Sequence, residues 1–172
     1  MLGLLMKTNM NNKSLTVFLV IVVIGLVGFM ATRPELGEPK NDVISTKTDA
    51  LLATVYKSPS CGCCGVYASY MQKEGYEVMI ENSNDMSSVK HELGVPHELE
   101  SCHTTEVGGY VVEGHMPNEA IEKLLSEKPD IKGIGMPGMP SGSPGMPGPK
   151  NEDFVIYEIT HSGEKGGVFM TI

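Results

Sequence analysis

After residue 50 the chain alternates short apolar runs with helical patterns, and these predict strands and helices in turn. The run "LLATVY" (51–56) predicts a buried strand, and "YEVMI" (76–80) predicts a second one. Between them, apolar side chains recur at helical spacing over residues 62–73, and Gly75 provides a stop signal. The stretch "SNDMSSVKHELG" predicts another helix that is capped at its start and ends at Gly94.

The second half of the chain continues this alternation. Residues 110–113 have strand character, and "MPNEAIEKLLSEKP" predicts a helix with Ile121, Leu124 and Leu125 on one face. The end of the chain, "FVIYEIT" and "VFMTI" around a glycine-containing turn, predicts a β-hairpin. The order β-α-β-α, a cysteine loop, β-α, a long loop and β-β predicts an α/β fold, a sheet with helices packed on it.

The long loop covers residues 135–149, "GMPGMPSGSPGMPGP", and is called the Met/Pro/Gly loop below. It holds five glycines, five prolines, three methionines and two serines. The first two of its three G-M-P triplets are compatible with a collagen repeat, but the repeat loses its register at Ser141 and does not return. The segment is therefore predicted to be an irregular loop.

The N-terminal part of the chain predicts export. Residues 14–32 form an uncharged run of 19, and a helix of that length reaches about 28 Å, close to the thickness of a bilayer core. Lys7 and Lys13 precede this run, which places the residues after 33 outside the cytoplasm. Phe29 occupies a position where a signal-peptidase site needs a small residue, so a retained anchor is favoured over a cleaved signal peptide.

These features divide the chain into three parts. Residues 1–33 form a short cytoplasmic stub and an anchor or signal segment, residues 34–50 form a polar linker, and residues 51–172 form the domain. All 21 acidic residues follow Arg33, whereas the whole chain has only 13 lysines and arginines. An acidic domain without tryptophan does not favour nucleic acid as a partner, because phosphate binding requires clustered basic side chains.

Three of the four cysteines lie in the segment "SPSCGCCGVYASYM", where the first strand meets the first helix. Cys61 and Cys64 form a C-x-x-C motif with Cys63 inside it, and Cys102 follows much later in the chain. A structural disulfide is one interpretation, although a bridge within one helical turn stabilises little. A second is thiol–disulfide exchange by Cys61 and Cys64, since the C-x-x-C has the position of a thioredoxin-like redox motif.

The third interpretation is a site for a soft metal. Thiolates select Cu(I), zinc and similar ions over hard cations, and the Met/Pro/Gly loop adds thioethers. Four cysteines could also hold a tetrahedral zinc ion, but the C-x-C-C spacing differs from the paired motifs of zinc ribbons. Copper, as Cu(I), is therefore the favoured metal and zinc the alternative.

Several motifs resemble the CopG-like copper-resistance family, also described as domain of unknown function 411. They are "YKSPSCGCCGVYASYM", "LGVPHELESCHTTEVGGYVVEGHMP", "LLSEKPDIKGIGMPGMPSGSPGMPG" and the closing strands, and together they cover residues 52–172. The resemblance implies a thioredoxin-like fold and an exported copper-binding role, with copper redox or transfer as a further activity. The long N-terminal apolar segment departs from the family.

The resemblance also identifies candidate site residues. The family's metal-binding cysteines correspond to Cys61, Cys63, Cys64 and Cys102, and its G-H-x-P element corresponds to Gly114, His115 and Pro117. Further candidate ligands are His103, His115, Met136 and Met139. The expected partners are copper ions, other exported copper-handling proteins and the membrane. The alternative function is a membrane-tethered thiol–disulfide oxidoreductase that uses Cys61 and Cys64.

Overall fold

The computed structural model describes residues 50–172, which form a mixed α/β domain with seven strands and three α-helices. The strands are β1 (Leu52–Lys57), β2 (Glu77–Asn82), β3 (His103–Val107), β4 (Tyr110–Glu113), β5 (Gly133–Gly135), β6 (Val155–Ile159) and β7 (Lys165–Thr171). The helices are α1 (Gly62–Lys73), α2 (Met86–Leu93) and α3 (Asn118–Glu127), with one 3₁₀ turn at His97–Leu99.

All seven strands belong to one sheet in the order β2-β1-β3-β4-β5-β6-β7. The β1–β2 and β4–β5 pairs are parallel and the other four are antiparallel. The predicted α/β class and the C-terminal hairpin, formed by β6 and β7, are therefore confirmed. The assignment to a thioredoxin-like fold stays a prediction.

Apolar side chains cover both faces of the sheet. One cluster joins Tyr67 and Met71 of α1 and Ile121 and Leu124 of α3 to strand residues that include Val112. The other cluster contains Val95, Leu99, Val111 and Ile159. Val111 and Val112 are neighbours in β4 and so point to opposite faces, which places the two clusters on the two sides of the sheet.

Local signals explain where α2 begins and ends. The carboxylate of Asp85 accepts a hydrogen bond of 3.0 Å from the backbone N–H of Ser88, which is an N-cap contact. Gly94 follows the last turn with a φ of 71°, a left-handed conformation that glycine adopts without strain. Both ends agree with the boundaries expected from the sequence.

Two strands were not predicted. The sequence "HTTEV" of β3 was expected to be part of a cysteine loop, because four of its five residues are polar or charged and no apolar run marks it. The sequence of β5 is "GIG", and glycine has low β propensity. A side chain at Gly133 would collide with the backbone carbonyl of Val111, so close approach of two strands, not propensity, selects this residue.

The predicted anchor over 14–32 lies outside the described residues, as does all of the 34–50 linker except Ala50. Within residues 50–172, no helix has both the length and the apolar character required to cross a bilayer.

Candidate metal centre

Four strand ends meet at one edge of the sheet. The register pairs Lys57, the last residue of β1, with His103, the first residue of antiparallel β3. Thr104 pairs with Glu113 near the end of β4, and Glu113 pairs with Gly135 at the end of parallel β5. Four segments therefore lie side by side at this edge: the one after β1, the one before β3, the one after β4 and the one after β5.

The first of these segments carries the cysteine turn. Cys61 is the N-cap residue of α1, and Cys63 and Cys64 lie in its first turn. No side chain caps this helix, so the unpaired backbone N–H groups and the positive end of the helix dipole face the sulfur atoms. Helix N-termini are common positions for reactive and metal-binding cysteines.

A disulfide joins Cys61 to Cys64, whose Cα atoms are 5.4 Å apart. This is the pairing expected for thiol–disulfide exchange. Cys63 and Cys102 carry free thiols. At the start of α1, Cys102 therefore lies next to one disulfide, Cys61–Cys64, and one free thiol, that of Cys63.

The structure brings all four cysteine sulfurs together. The Sγ of Cys102 lies 3.4 Å from that of Cys64 and 3.9 Å from that of Cys63. The Sγ atoms of Cys61 and Cys63 are 3.6 Å apart, and all four lie within 4.8 Å of one another. A metal ion bound tetrahedrally by thiolates, with metal–sulfur bonds of about 2.3 Å, sets its sulfurs about 3.8 Å apart, so the spacing fits a shared ion once the disulfide is reduced.

His115 extends the group on the other side of Cys102. Its Nε2 lies 3.0 Å from the Sγ of Cys102, and its Nδ1 lies 2.7 Å from the carbonyl oxygen of Pro144. A carbonyl only accepts hydrogen bonds, so Nδ1 carries the proton and Nε2 directs its lone pair at the sulfur. His115 does not cap the neighbouring helix, because the first N–H of α3, that of Asn118, donates to the hydroxyl of Tyr70.

His103 is fully buried behind Cys102. Its Nδ1 lies 3.4 Å from the Sγ of Cys102, whereas its Nε2 is buried and has no hydrogen-bond partner among residues 50–172. The ring of Tyr67 packs on it at 4.3 Å, and the ring of His115 lies edge-on at 4.7 Å. Cys102, His103 and His115 thus form a second group of potential ligands that shares Cys102 with the first.

The electrostatics keep the imidazoles neutral and the Cys102 thiol protonated. Burial lowers the pKa of His115, and burial, followed by the nearby His115 and Lys90, lowers the pKa of His103 well below 6.5. Burial, with the neighbouring Cys63 as the next cause, raises the pKa of Cys102 to about 12. Neutral imidazoles can donate a lone pair to a metal ion, but the Cys102 proton must leave first.

A buried ion pair supports the segment that carries Cys102. Lys90 of α2 and Glu113 of β4 form a salt bridge, with side chains 4% and 0% exposed. The carboxylate of Glu113 also accepts hydrogen bonds from the hydroxyl of Thr104, at 2.5 Å, and from the backbone N–H of Ser101, at 2.6 Å. Ser101 directly precedes Cys102, so these contacts fix the backbone on both sides of its thiol.

The methionine candidates lie in different environments. Met136 is 1% exposed and belongs to the apolar cluster beneath α1 and α3, whereas Met139 is 51% exposed. Ligand roles for these two thioethers, like those for the four cysteines and two histidines, stay predictions.

Sequence reasoning missed three residues that shape the site. Lys90 was read only as part of a helix, Glu113 only as the end of a strand, and Pro144 only as part of a loop. Their contacts reach far along the sequence: Lys90 to Glu113 spans 23 positions, Glu113 to Ser101 spans 12 and Pro144 to His115 spans 29. Glu113 carried a weak signal, because a carboxylate that ends an otherwise apolar strand requires a buried partner.

Comparison with known proteins identifies a family and two similar solved structures. Residues 99–146 match a family model described as "Protein of unknown function, DUF411". Among solved structures, the chain is 37% identical to copper resistance protein CopG in form 2, with a TM-score of 0.66, and covers 98% of that chain and 72% of its own length. Form 1 of the same protein gives the same identity and coverage with a TM-score of 0.65. No curated protein sequence matches the chain.

The four-cysteine group and the seven-stranded sheet describe this chain as an α/β domain with a cysteine cluster, and the similar solved structures are named as copper resistance proteins. At this identity and coverage, the chain belongs to the CopG-like copper-resistance family.

We expect Lys90→Met to destabilise the domain by about 3–5 kcal/mol, because it leaves the Glu113 carboxylate buried without its cation. The matched control is Lys123→Met, which removes a partly exposed i,i+4 pair with Glu127 and the contact of the ammonium with the ring of Phe169, and should cost about 1 kcal/mol or less. Urea unfolding followed by circular dichroism measures both. Equal midpoints for the two variants would show that the buried pair does not support the fold.

Proposed function

We propose that the domain is an exported copper-binding protein that holds Cu(I) on Cys61, Cys63, Cys64 and Cys102 and serves copper resistance or homeostasis. The observation that carries this proposal is the convergence of four sulfurs within 4.8 Å at the uncapped start of α1. The copper-resistance name of the similar solved structures supports copper as the metal. Copper redox or transfer to other exported copper-handling proteins is part of the same proposal.

The ligand chemistry favours Cu(I) over zinc. Zinc in a structural site takes four ligands in a closed tetrahedron, whereas Cu(I) is satisfied by soft sulfur ligands and low coordination numbers. Cys102 belongs both to the four-cysteine group and to the group with His103 and His115. A thiolate in that position can bridge two copper ions, so His103 and His115 are secondary ligand candidates, followed by Met136 and Met139.

The alternative function is thiol–disulfide exchange on other exported proteins. The specific observation in its favour is the disulfide between Cys61 and Cys64, with Cys61 at the N-cap of α1. Cys63 and Cys102 weaken it, because two further thiols lie close enough to the disulfide to compete with a substrate thiol.

We expect the reduced protein to bind more than one Cu(I) per chain, because four adjacent thiolates can bridge ions. Cys102→Ser should lower copper retention about as much as Cys63→Ser, since each removes one sulfur of the same group. Titration of the reduced protein with Cu(I) against a chromophoric chelator, under anaerobic conditions, measures both. Saturation at one equivalent, or unchanged binding in Cys102→Ser, would contradict the shared cluster.

The same preparations distinguish copper binding from the alternative function, thiol–disulfide exchange. Reduced wild-type protein is assayed for reduction of insulin disulfides, with Cys61→Ser as the inactive control. Insulin reduction by a protein that retains no copper would favour the exchange reaction over copper binding.

The protonated Cys102 thiol predicts that the affinity for copper depends on pH. With the pKa of Cys102 raised to about 12, the thiol of the metal-free protein holds its proton at neutral pH, and copper must displace it. Each proton released lowers the apparent affinity about tenfold per pH unit as the pH falls. We expect the slope of log affinity against pH, measured between about pH 6 and about pH 8, to fall by about one in Cys102→Ser. An unchanged slope would mean that this proton is not displaced.

We propose that the domain works in the periplasm or on the extracytoplasmic face of the inner membrane, anchored by residues 14–32. The 19 uncharged residues and the preceding Lys7 and Lys13 support this placement. The native protein should stay with membranes in high salt and in carbonate, because a spanning helix binds more tightly than one acyl chain. N-terminal sequencing that finds a soluble chain starting near residue 32 would contradict an anchor.

A further inference from the structure

The Met/Pro/Gly loop contacts each of the segments that form the candidate metal centre. Two of these contacts reach the residues just before Cys102. The backbone N–H of Gly138 donates to the carbonyl of Glu100 at 3.4 Å, and the carbonyl of Gly138 accepts from the hydroxyl of Ser101. Further along the loop, the carbonyl of Pro144 accepts from Nδ1 of His115 at 2.7 Å.

Gly145 lies directly against the first turn of α1. A Cβ atom on this glycine would lie 3.0 Å from the backbone N of Tyr67 and 3.1 Å from the carbonyl oxygen of Cys63. Both are atoms of a packed helix that cannot move aside alone, and the φ of Gly145 is +84°, which side chains rarely adopt. Only glycine therefore lets the loop approach the cysteine turn this closely.

The loop keeps this shape through its own hydrogen bonds. The hydroxyl of Ser143, a residue only 2% exposed, donates to the carbonyl of Pro140 at 2.7 Å. The N–H of Met146 donates to the carbonyl of Ser143 at 2.8 Å. Five prolines further restrict the backbone, so the Pro144 carbonyl is held in place before any metal arrives.

We propose that the Met/Pro/Gly loop is a positioning element for His115. The carbonyl of Pro144 holds the proton of the imidazole on Nδ1, and the contact of Gly145 with α1 sets the position of that carbonyl. In this Nδ1–H tautomer the Nε2 lone pair faces Cys102, where it can bind a metal or accept the thiol proton. Outer-shell partners of this kind orient a ligating histidine, and their loss typically lowers metal affinity 10- to 100-fold. Only the copper part of this inference rests on the proposed function.

The test compares Gly145→Ala with Gly109→Ala. Both glycines have nearly the same φ, +84° and +85°, but a Cβ at Gly109 meets no atom within 4 Å. Gly109 lies in the turn between β3 and β4, away from the strand ends that carry the cysteines. The two variants therefore share the backbone strain and differ in the contact with α1.

Two readouts are used. The first is the tautomer of His115 in the reduced, metal-free full-length protein, from the ¹⁵N chemical shifts of its imidazole. The second is the Cu(I) affinity by chelator competition. In wild type and in Gly109→Ala we expect the Nδ1–H form and unchanged affinity. In Gly145→Ala we expect a mixture of tautomers and an affinity lower by about tenfold or more.

An unchanged tautomer in Gly145→Ala, or equal losses in both variants, would overturn the proposal. If Gly145→Ala does not fold, Ser143→Ala replaces it under the same criteria, because it removes the bond to Pro140 inside the loop. A wild-type protein that binds no copper but shows the Nδ1–H tautomer would refute the proposed function and leave the positioning role intact.

Discussion

The antiparallel pairing of β1 with β3 is the constraint on which the candidate site depends. It sets His103 opposite Lys57, so the chain enters β3 at the same edge at which it leaves β1. Because side chains in a strand alternate between faces, a slip of one residue would turn Cys102 and His103 away from their present neighbours. Sulfurs that are 38 to 41 positions apart in sequence meet only in this register.

The same edge also concentrates polar groups that are costly to bury. Lys90, Glu113, His103 and His115 are almost fully buried. Glu113 satisfies its carboxylate with three donors, whereas Nε2 of His103 has no partner within residues 50–172. A buried, unsatisfied imidazole nitrogen costs stability, and unpaired groups of this kind are rare in folded proteins away from functional sites. The satisfied network behind it holds the backbone on both sides of Cys102 in place.

Sequence periodicity predicted the parts of the fold that bury apolar stripes. The three helices, β1, β2, β4 and the C-terminal hairpin all follow from apolar spacing and cap residues. β3 and β5 could not be found in this way, because their strand pairing and not their composition makes them strands. Cys102 reaches the cysteine turn through the same antiparallel pairing of β1 with β3. Cys102 precedes an antiparallel strand, and does not follow the carboxyl end of a parallel one.

The candidate site could be predicted only at the level of residue type. The C-x-C-C turn predicted a site built from cysteine thiols, and the family resemblance identified Cys102 and His115 as further residues of that site. The loop was recognised by its composition, but its contacts with His115 and with α1 depend on Pro144 and Gly145, which are two among ten similar residues. The buried pair of Lys90 and Glu113 joins a helix to a strand 23 positions later, a distance at which local patterns contain no information.

The disulfide and the proposed copper site use the same atoms, and this links the two functions that the sequence left open. Reduction of the Cys61–Cys64 disulfide adds two electrons and two protons and yields two thiols, and only these can become thiolate ligands. Copper that binds the reduced form alone stabilises it, and for a two-electron couple each tenfold excess of copper over its dissociation constant raises the reduction potential by about 30 mV. Loaded copper would thus protect the cysteines from oxidation, and oxidation would exclude copper from two of the four sulfurs. Cys63 and Cys102 lie outside the disulfide, but their sulfurs lie within 4.8 Å of its two sulfurs, and thiol–disulfide exchange does not require them. Their presence at this edge is the physical reason to regard the disulfide as one state of a metal site.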